Sequence, residues 1–207
     1  MTDQYAVIGN PIGHTKSPLI HGLFAQETRQ DLGYTAIEGP IEPAGAFADA
    51  VRAFFDGGGK GINVTAPFKL DAFAMSDERS ERAQLAGAAN ALKFEGGRIL
   101  ADNFDGIGLV RDIETNLNLP MAGKRVLVLG AGGAARGSVF SPAGTAYELA
   151  YGKRLTPFLR LAKNAGVHGI ADGVGMLVEQ AAEAFAWWRG VRPQTSAVID
   201  RLAVPFD

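Results

Sequence analysis

The 207-residue chain contains no cysteine, which excludes disulfides, thiolate metal sites and a cysteine nucleophile. It has only three histidines, none paired at zinc-binding spacing, so we expect no metal. Its 20 Lys and Arg against 22 Asp and Glu lack the basic surplus that nucleic-acid binding requires. No apolar run reaches the ~18 residues that cross a membrane, and the first residues are not typical of a signal peptide. We therefore expect a cytoplasmic protein that binds neither nucleic acid nor membrane.

Glycine is in excess, with 27 of 207 residues, about twice the usual ~7%. Such an excess favours tight turns and close approach of the backbone to a ligand. Short apolar strands are predicted at Tyr5–Gly9, Tyr34–Glu38 and Gly61–Val64, with helical periodicity between them. A hairpin turning on Gly96-Gly97 is predicted next. This order predicts an α/β fold with a mostly parallel sheet.

Helix starts are predicted from hydroxyl residues that precede proline. Ser17 before Pro18 predicts an N-cap, and Thr156 before Pro157 predicts a second one. A last helix is predicted at Pro193–Leu202.

A glycine-rich turn, Gly130–Ala135, directly follows an apolar strand predicted at Arg125–Leu129. This pattern is typical of a dinucleotide-binding turn, in which glycine lets a pyrophosphate approach the backbone. A tight turn without a ligand fits the same residues. A Rossmann half needs a βαβ unit of at least ~30 residues, and Pro142 would break a helix that starts after the turn. The residues after the turn therefore do not complete a Rossmann half, and both interpretations of the turn stay open.

Polar side chains that suit proton transfer and polyol binding follow the other strands. Lys69 comes shortly after the strand that ends at Val64, and Asp105 follows the hairpin. A lysine beside a carboxylate can form a proton-transferring pair. Taken singly, a surface lysine and a turn aspartate are more often solvated or capping residues. Hydroxyl and amide groups that could hold a polyol are contributed by Thr15, Ser17 and Asn90.

Several separated segments resemble the shikimate dehydrogenase family, in the family's order and over nearly the whole chain. They are Gly9–Pro18, Asn63–Lys69, Gly87–Asn90, Asp102–Gly106, Gly130–Ala135, Tyr151–Leu159 and Asp172–Ala181. The resemblance implies an enzyme that reversibly reduces 3-dehydroshikimate to shikimate with NADPH, in chorismate and aromatic amino acid biosynthesis. It also implies an N-terminal parallel-sheet substrate domain (1–104 plus 173–207) and a truncated Rossmann-type NADP-binding domain (105–172).

The resemblance assigns a role to each matching residue. Lys69 is the acid/base that protonates the substrate carbonyl oxygen, and Asp105 is its partner and a substrate contact. The remaining substrate-binding residues are Thr15, Ser17, Thr65, Asn90, Tyr151 and Gln180. The cofactor-binding residues are Gly130, Ala131, Gly132, Gly133, Ala134, Gly173 and Met176.

Three departures from the family pattern leave alternatives open. Thr15 replaces a common serine, which leaves open a quinate/shikimate dehydrogenase. Phe104 replaces a common threonine, which removes a hydroxyl near Asp105. Between Val139 and Tyr147, about 60 residues are missing, the length of two βαβ pieces. If the protein itself lacks them, we expect weak NADPH binding, and the alternative function is an impaired substrate-binding remnant. A monomer and a homodimer fit the sequence equally.

Overall fold

The computed structural model describes residues 2–126, 143–152 and 154–206. The chain divides into two compact units, the first comprising Met1–Ile107 and Gln180–Thr195 and the second Gly108–Glu179 and Ser196–Asp207. No helix within the described ranges is long and apolar enough to span a membrane. The assignment of a substrate domain to 1–104 plus 173–207 and of a cofactor domain to 105–172 stays a prediction.

A mixed sheet forms the centre of the first unit. Its described strands are β1 (Asp3–Gly9), β2 (Leu32–Glu38), β3 (Gly59–Val64), β4 (Glu78–Arg79), β5 (Ala91–Glu95) and β6 (Arg98–Asp102). Their order is β2-β1-β3-β5-β6-β4. Strand β1 runs parallel to β2 and β3, whereas β5 is antiparallel to β3 and β6. The sheet confirms the predicted α/β class, and the β5–β6 hairpin turns on Gly96 and Gly97 as predicted.

The helices begin close to the predicted positions, with two corrections. They are α1 (Ser17–Thr28), α2 (Ala46–Asp56), α3 (Lys69–Met75), α4 (Glu81–Ala86), α5 (Asp105–Arg111), α6 (Pro157–Asn164), α7 (Val174–Arg189) and α8 (Ser196–Leu202). Ser17 is the first residue of α1 and not its N-cap, because the Thr15 hydroxyl accepts the Ser17 N–H at 3.3 Å. Helix α8 begins later than predicted, since the N–H of Gln194 donates to the Glu27 carboxylate at 3.3 Å.

The Thr156 cap is confirmed, because its hydroxyl accepts the Leu159 N–H at 3.2 Å. A π-helical turn, Asp112–Asn116, continues α5.

Apolar side chains cover the sheet of the first unit. One cluster is built on Ile8, Ile62 and Leu92, which are fully buried, together with Val51 and Phe55 of α2. Each such side chain contributes roughly 1.5–3 kcal/mol when it leaves water. A smaller cluster joins Ala91 and Ala184 to Phe104, Ile107, Trp187 and Trp188.

The late part of α7 is tied to the sheet by polar contacts as well. The indole N–H of Trp188 donates to the carbonyl of Leu92 at 3.1 Å. Arg189 donates to Gln30 at 2.6 Å and forms an ion pair with Asp3. These contacts join the first strand of the chain to a helix near its other end.

The described part of the second unit contains a small β–α–β arrangement. Strands β7 (Thr145–Tyr147) and β8 (Gly169–Ala171) are parallel and are connected through α6. Ala146 and Leu159 are buried between strand and helix together with Ala162 and Val167. The strand predicted at Arg125–Leu129 lies mostly outside the described residues.

Candidate active site

Lys69 and Asp105 form an ion pair, with Nζ of Lys69 2.6 Å from Oδ2 of Asp105. Lys69 begins α3, after strand β3, and Asp105 begins α5, after strand β6. The two side chains are 35% and 30% exposed, so a ligand can reach the pair from solvent. A charge-assisted hydrogen bond of this length is strong and fixes the ammonium group in one place. The arrangement can hold a proton at Nζ beside a bound carbonyl oxygen.

Asn90 holds the second oxygen of this carboxylate. Its amide donates to Oδ1 of Asp105 at 2.8 Å and to Oε1 of Gln180 at 3.2 Å. Its own oxygen accepts the N–H of Phe104 at 2.9 Å. Since Asn90 is buried, these three bonds fix which way its amide points. The structure therefore brings together four of the predicted site residues, namely Lys69, Asn90, Asp105 and Gln180.

Asn103 is a site residue that the sequence reasoning missed. Its side-chain oxygen accepts the N–H of Asp105 at 3.0 Å, and its amide donates to the carbonyl of Ala88 at 3.0 Å. The signal was present in the sequence, because an asparagine two residues before a helix start commonly accepts a backbone N–H there.

The Phe104 side chain packs into the core and is 3% exposed, and its ring meets that of Trp187 edge to face. Phe104 therefore contributes packing beside the site and no hydroxyl.

The hydroxyl residues of the first loop lie together at the start of α1. The Thr15 and Ser17 hydroxyl oxygens are 3.2 Å apart, and Ser17 is buried. Thr65 lies against the end of β1, where a Cβ on Gly9 would fall 2.3 Å from Thr65 Cγ2. Only glycine leaves room at that crossing, and the N–H of Asn10 donates to the carbonyl of Ala66 at 3.0 Å. The loop after β1 and the segment after β3 are therefore held side by side.

The remaining predicted residues belong to the second unit or lie outside the described ranges. Tyr151 is half-buried, and burial raises the pKa of its phenol, which stays a neutral hydrogen-bond donor at ordinary pH. Gly173 and Met176 are at the junction of β8 and α7. The predicted turn residues Gly130, Ala131, Gly132, Gly133 and Ala134 lie outside the described residues.

Packing within the second unit requires a glycine at position 173. A Cβ on Gly173 would lie 2.2 Å from the carbonyl oxygen of Leu149, so a side chain does not fit there. The Asp172 carboxylate accepts the N–H of Val174 at 3.2 Å, and burial raises the pKa of Asp172. That Gly173 and Met176 border the nicotinamide stays a prediction.

His21 is an uncharged ring in the core of the first unit. It is 1% exposed and stacks on Tyr34 with ring centroids 4.2 Å apart. Burial lowers the pKa of His21 to about 3. The Asn63 side chain is the neighbour that favours the protonated ring, and burial outweighs it. The unfolded chain therefore takes up a proton near pH 6.5, while the folded chain does not.

Stability should accordingly fall as the pH drops from about 6.5 towards 3, by about 1.4 kcal/mol per pH unit from this residue alone. We expect His21→Phe, which keeps a flat ring against Tyr34, to make the free energy of unfolding less dependent on pH. Urea unfolding at several pH values between 7 and 5 measures this, with the exposed His168→Gln as control. Equal slopes in the parent and His21→Phe would contradict the assignment of a neutral His21.

The first unit is an α/β scaffold with a lysine–carboxylate ion pair after its strands, and this arrangement is compatible with an enzyme that moves a proton at a bound substrate. Two family models match the chain: the shikimate dehydrogenase substrate binding domain over residues 7–92 and the shikimate 5'-dehydrogenase C-terminal domain over residues 173–203. The chain belongs to the shikimate dehydrogenase family, which confirms the resemblance.

Individual relatives support the same assignment. Shikimate dehydrogenase (NADP(+)) from Alkalilimnicola ehrlichii is 39% identical over 270 aligned positions, which cover 98% of this chain and 99% of the relative. The enzyme of that name from Janthinobacterium sp. is 41% identical over 269 positions, covering 97% of each chain.

Solved structures resemble the chain over its full length. An Ael1 enzyme from Pseudomonas putida has a TM-score of 0.89 at 50% identity and covers 100% of both chains. Shikimate 5-dehydrogenase from Thermus thermophilus, in complex with shikimate, has a TM-score of 0.82 at 25% identity, covering 96% of this chain and 97% of its own.

The alignments with these relatives are longer than this chain. An alignment of 270 positions against 207 residues leaves at least 63 positions of the Alkalilimnicola alignment opposite no residue of this chain. Neither family model covers residues 93–172, the part in which the sequence predicts the shortening.

Proposed function

We propose that this chain catalyses the reversible, NADPH-dependent reduction of 3-dehydroshikimate to shikimate. The observation that carries the proposal is the 2.6 Å ion pair of Lys69 and Asp105, with Asn90 holding the second carboxylate oxygen. NADPH, when bound, supplies the hydride for the carbonyl carbon. A cytoplasmic location, a monomeric or homodimeric state and the predicted division into substrate and cofactor domains are parts of the same proposal.

Lys69 supplies the proton. Its ammonium donates to the carbonyl oxygen as negative charge develops there, and Nζ takes a proton back from the hydroxyl in the reverse direction. Asp105 keeps the ammonium at the reacting oxygen and accepts a substrate hydroxyl. Because Asn90 fixes Oδ1 of Asp105, the carboxylate does not turn away when Lys69 loses its proton.

Hydroxyl groups of the first loop bind the far end of the substrate. Thr15 and Ser17 place two hydroxyls 3.2 Å apart at the N-terminus of α1, where backbone dipoles favour an anion. A carboxylate is the group that accepts from both. Thr65 and Gln180 bind the substrate hydroxyls. Tyr151 of the second unit keeps a neutral phenol, which can donate a hydrogen bond. The methyl group of Thr15 narrows this end relative to serine, so rates on shikimate and quinate should be compared.

The second candidate function is a substrate-binding protein without turnover. One observation favours it: at least 63 alignment positions lack a residue in this chain. Within the described ranges, the predicted cofactor contacts are Gly173 and Met176.

The test combines three measurements on one preparation whose intact mass has been verified as 21.8 kDa. Calorimetry measures shikimate binding, fluorescence titration measures NADPH binding, and absorbance follows shikimate-dependent reduction of NADP. Shikimate binding, weak NADPH binding and measurable turnover are the result expected of the proposed function. Shikimate binding without NADPH binding or turnover would leave the second candidate, and failure to bind shikimate would overturn both.

A further inference from the structure

A second ion pair lies directly beside the turn that carries Asp105. The Arg82 guanidinium binds both oxygens of Asp102, with Nη2 2.6 Å from Oδ2 and Nε 3.1 Å from Oδ1. The Asp102 side chain is 5% exposed, whereas that of Arg82 is 49% exposed. Oδ1 of Asp102 also accepts from the Ser80 hydroxyl and, at 2.7 Å, from the N–H of Asn103. The carboxylate is therefore held by four donors from two segments of the chain.

This pair fixes the geometry of residues 102–105. The carbonyl of Asp102 accepts the N–H of Asn90 at 3.0 Å, and Asn103 accepts the N–H of Asp105. The Arg82 guanidinium also lies over the ring of Phe104, 5.2 Å from its centroid. A shift of Asp102 would consequently move the backbone from which Asp105 reaches Lys69.

We propose that Arg82 and Asp102 are positioning residues, which clamp the turn 102–105 so that Asp105 meets Lys69. The proposal rests on the proposed function, because the clamp acts through that pair. Stability alone does not account for the arrangement, since burying a carboxylate costs much of what its ion pair returns. The bidentate contact fixes the position of the Asp102 side chain. Asp102 lies one residue before Asn103 and three residues before Asp105, so the backbone that carries Asp105 is fixed as well.

The test replaces Arg82 and follows rate, affinity and the environment of Lys69 separately. We expect Arg82→Met to lower kcat by about 10- to 100-fold, as small displacements of a reacting group do. KM for shikimate should rise by no more than about threefold, because the Asp105 carboxylate is kept and the hydroxyls of Thr15, Ser17 and Thr65 do not depend on the turn. Arg82→Lys keeps the charge and preserves the fold, but an ammonium cannot hold both oxygens in the same way, so its kcat should fall between those of the parent and Arg82→Met.

A readout independent of turnover is the labelling rate of Lys69 by an amine-reactive reagent, measured by peptide mass spectrometry. The rate should rise severalfold in Arg82→Met, since Asp105 no longer holds the ammonium. Arg98→Met is the matched control, because it removes an ion pair to Glu78 at the other end of β6. It should change neither kcat nor labelling.

A purely structural role would lower the melting temperature but leave kcat per folded molecule and Lys69 labelling unchanged, and that result would overturn the proposal. If the parent itself shows no turnover, the proposed function fails, and the labelling rates alone decide about the clamp. Faster labelling in Arg82→Met would then support it, and equal labelling would overturn it.

Discussion

Lys69→Ala is expected to lower kcat by about 10²- to 10⁴-fold, because the substrate oxygen loses its proton donor and the positive charge beside it. Shikimate affinity should change by less than about tenfold, or ~1.4 kcal/mol, since hydroxyl and amide groups supply most of the binding. Steady-state rates and calorimetry on the same preparation measure the two effects.

The matched control for Lys69 is Lys60→Ala, which removes an exposed lysine from the neighbouring strand β3. Its rate and affinity should equal those of the parent. If the dissociation constant for shikimate rises in proportion to the loss of rate, Lys69 is a binding residue and the acid/base assignment is wrong.

Asp105→Asn is expected to lower kcat by about 100-fold, the smaller of the two effects. The side-chain oxygen of the new asparagine still accepts from the Asn90 amide. Its NH2 group then faces the Lys69 ammonium, so two hydrogen-bond donors oppose each other where the carboxylate accepted from Lys69. The ammonium then turns away from the substrate oxygen. KM for shikimate should rise as well, because a carboxylate that accepts a substrate hydroxyl is lost.

Asp71→Asn provides the comparison for Asp105, since Asp71 is an exposed carboxylate on α3, two residues from Lys69. The double variant Lys69→Ala/Asp105→Asn should be no slower than Lys69→Ala alone, because residues that act as a unit are not additive. Fully additive losses would mean that the two residues act independently.

The parts of the site that follow strands could be predicted from the sequence. Lys69 and Asp105 follow β3 and β6, which run in the same direction on either side of β5, so both segments leave the same edge of the sheet. Their position after strands could be predicted from the residues, whereas their pairing was implied by the family resemblance. The hairpin at Gly96-Gly97 and the Thr156 cap could also be predicted, because each depends on two adjacent residues of the sequence.

Contacts between distant residues could not be predicted in the same way. Arg82 and Asp102 are both ordinary charged residues in sequence, and only the pairing of β4 with β6 brings their segments together. The three bonds of Asn90 depend on the rotamer of one buried side chain. The start of α8 was misjudged because Glu27, far away in the chain, takes the N–H of Gln194.

The attachment of α7 to the first sheet bears on how the protein is made. Strands β1 to β6 are complete once the ribosome has passed Asp102, yet Trp188 and Arg189, which bind Leu92 and Asp3, are synthesised much later. Until then the nascent first unit leaves Tyr5 and its neighbours without their aromatic cover. Products of premature termination between these points would expose that surface and would be natural targets for chaperones and proteases.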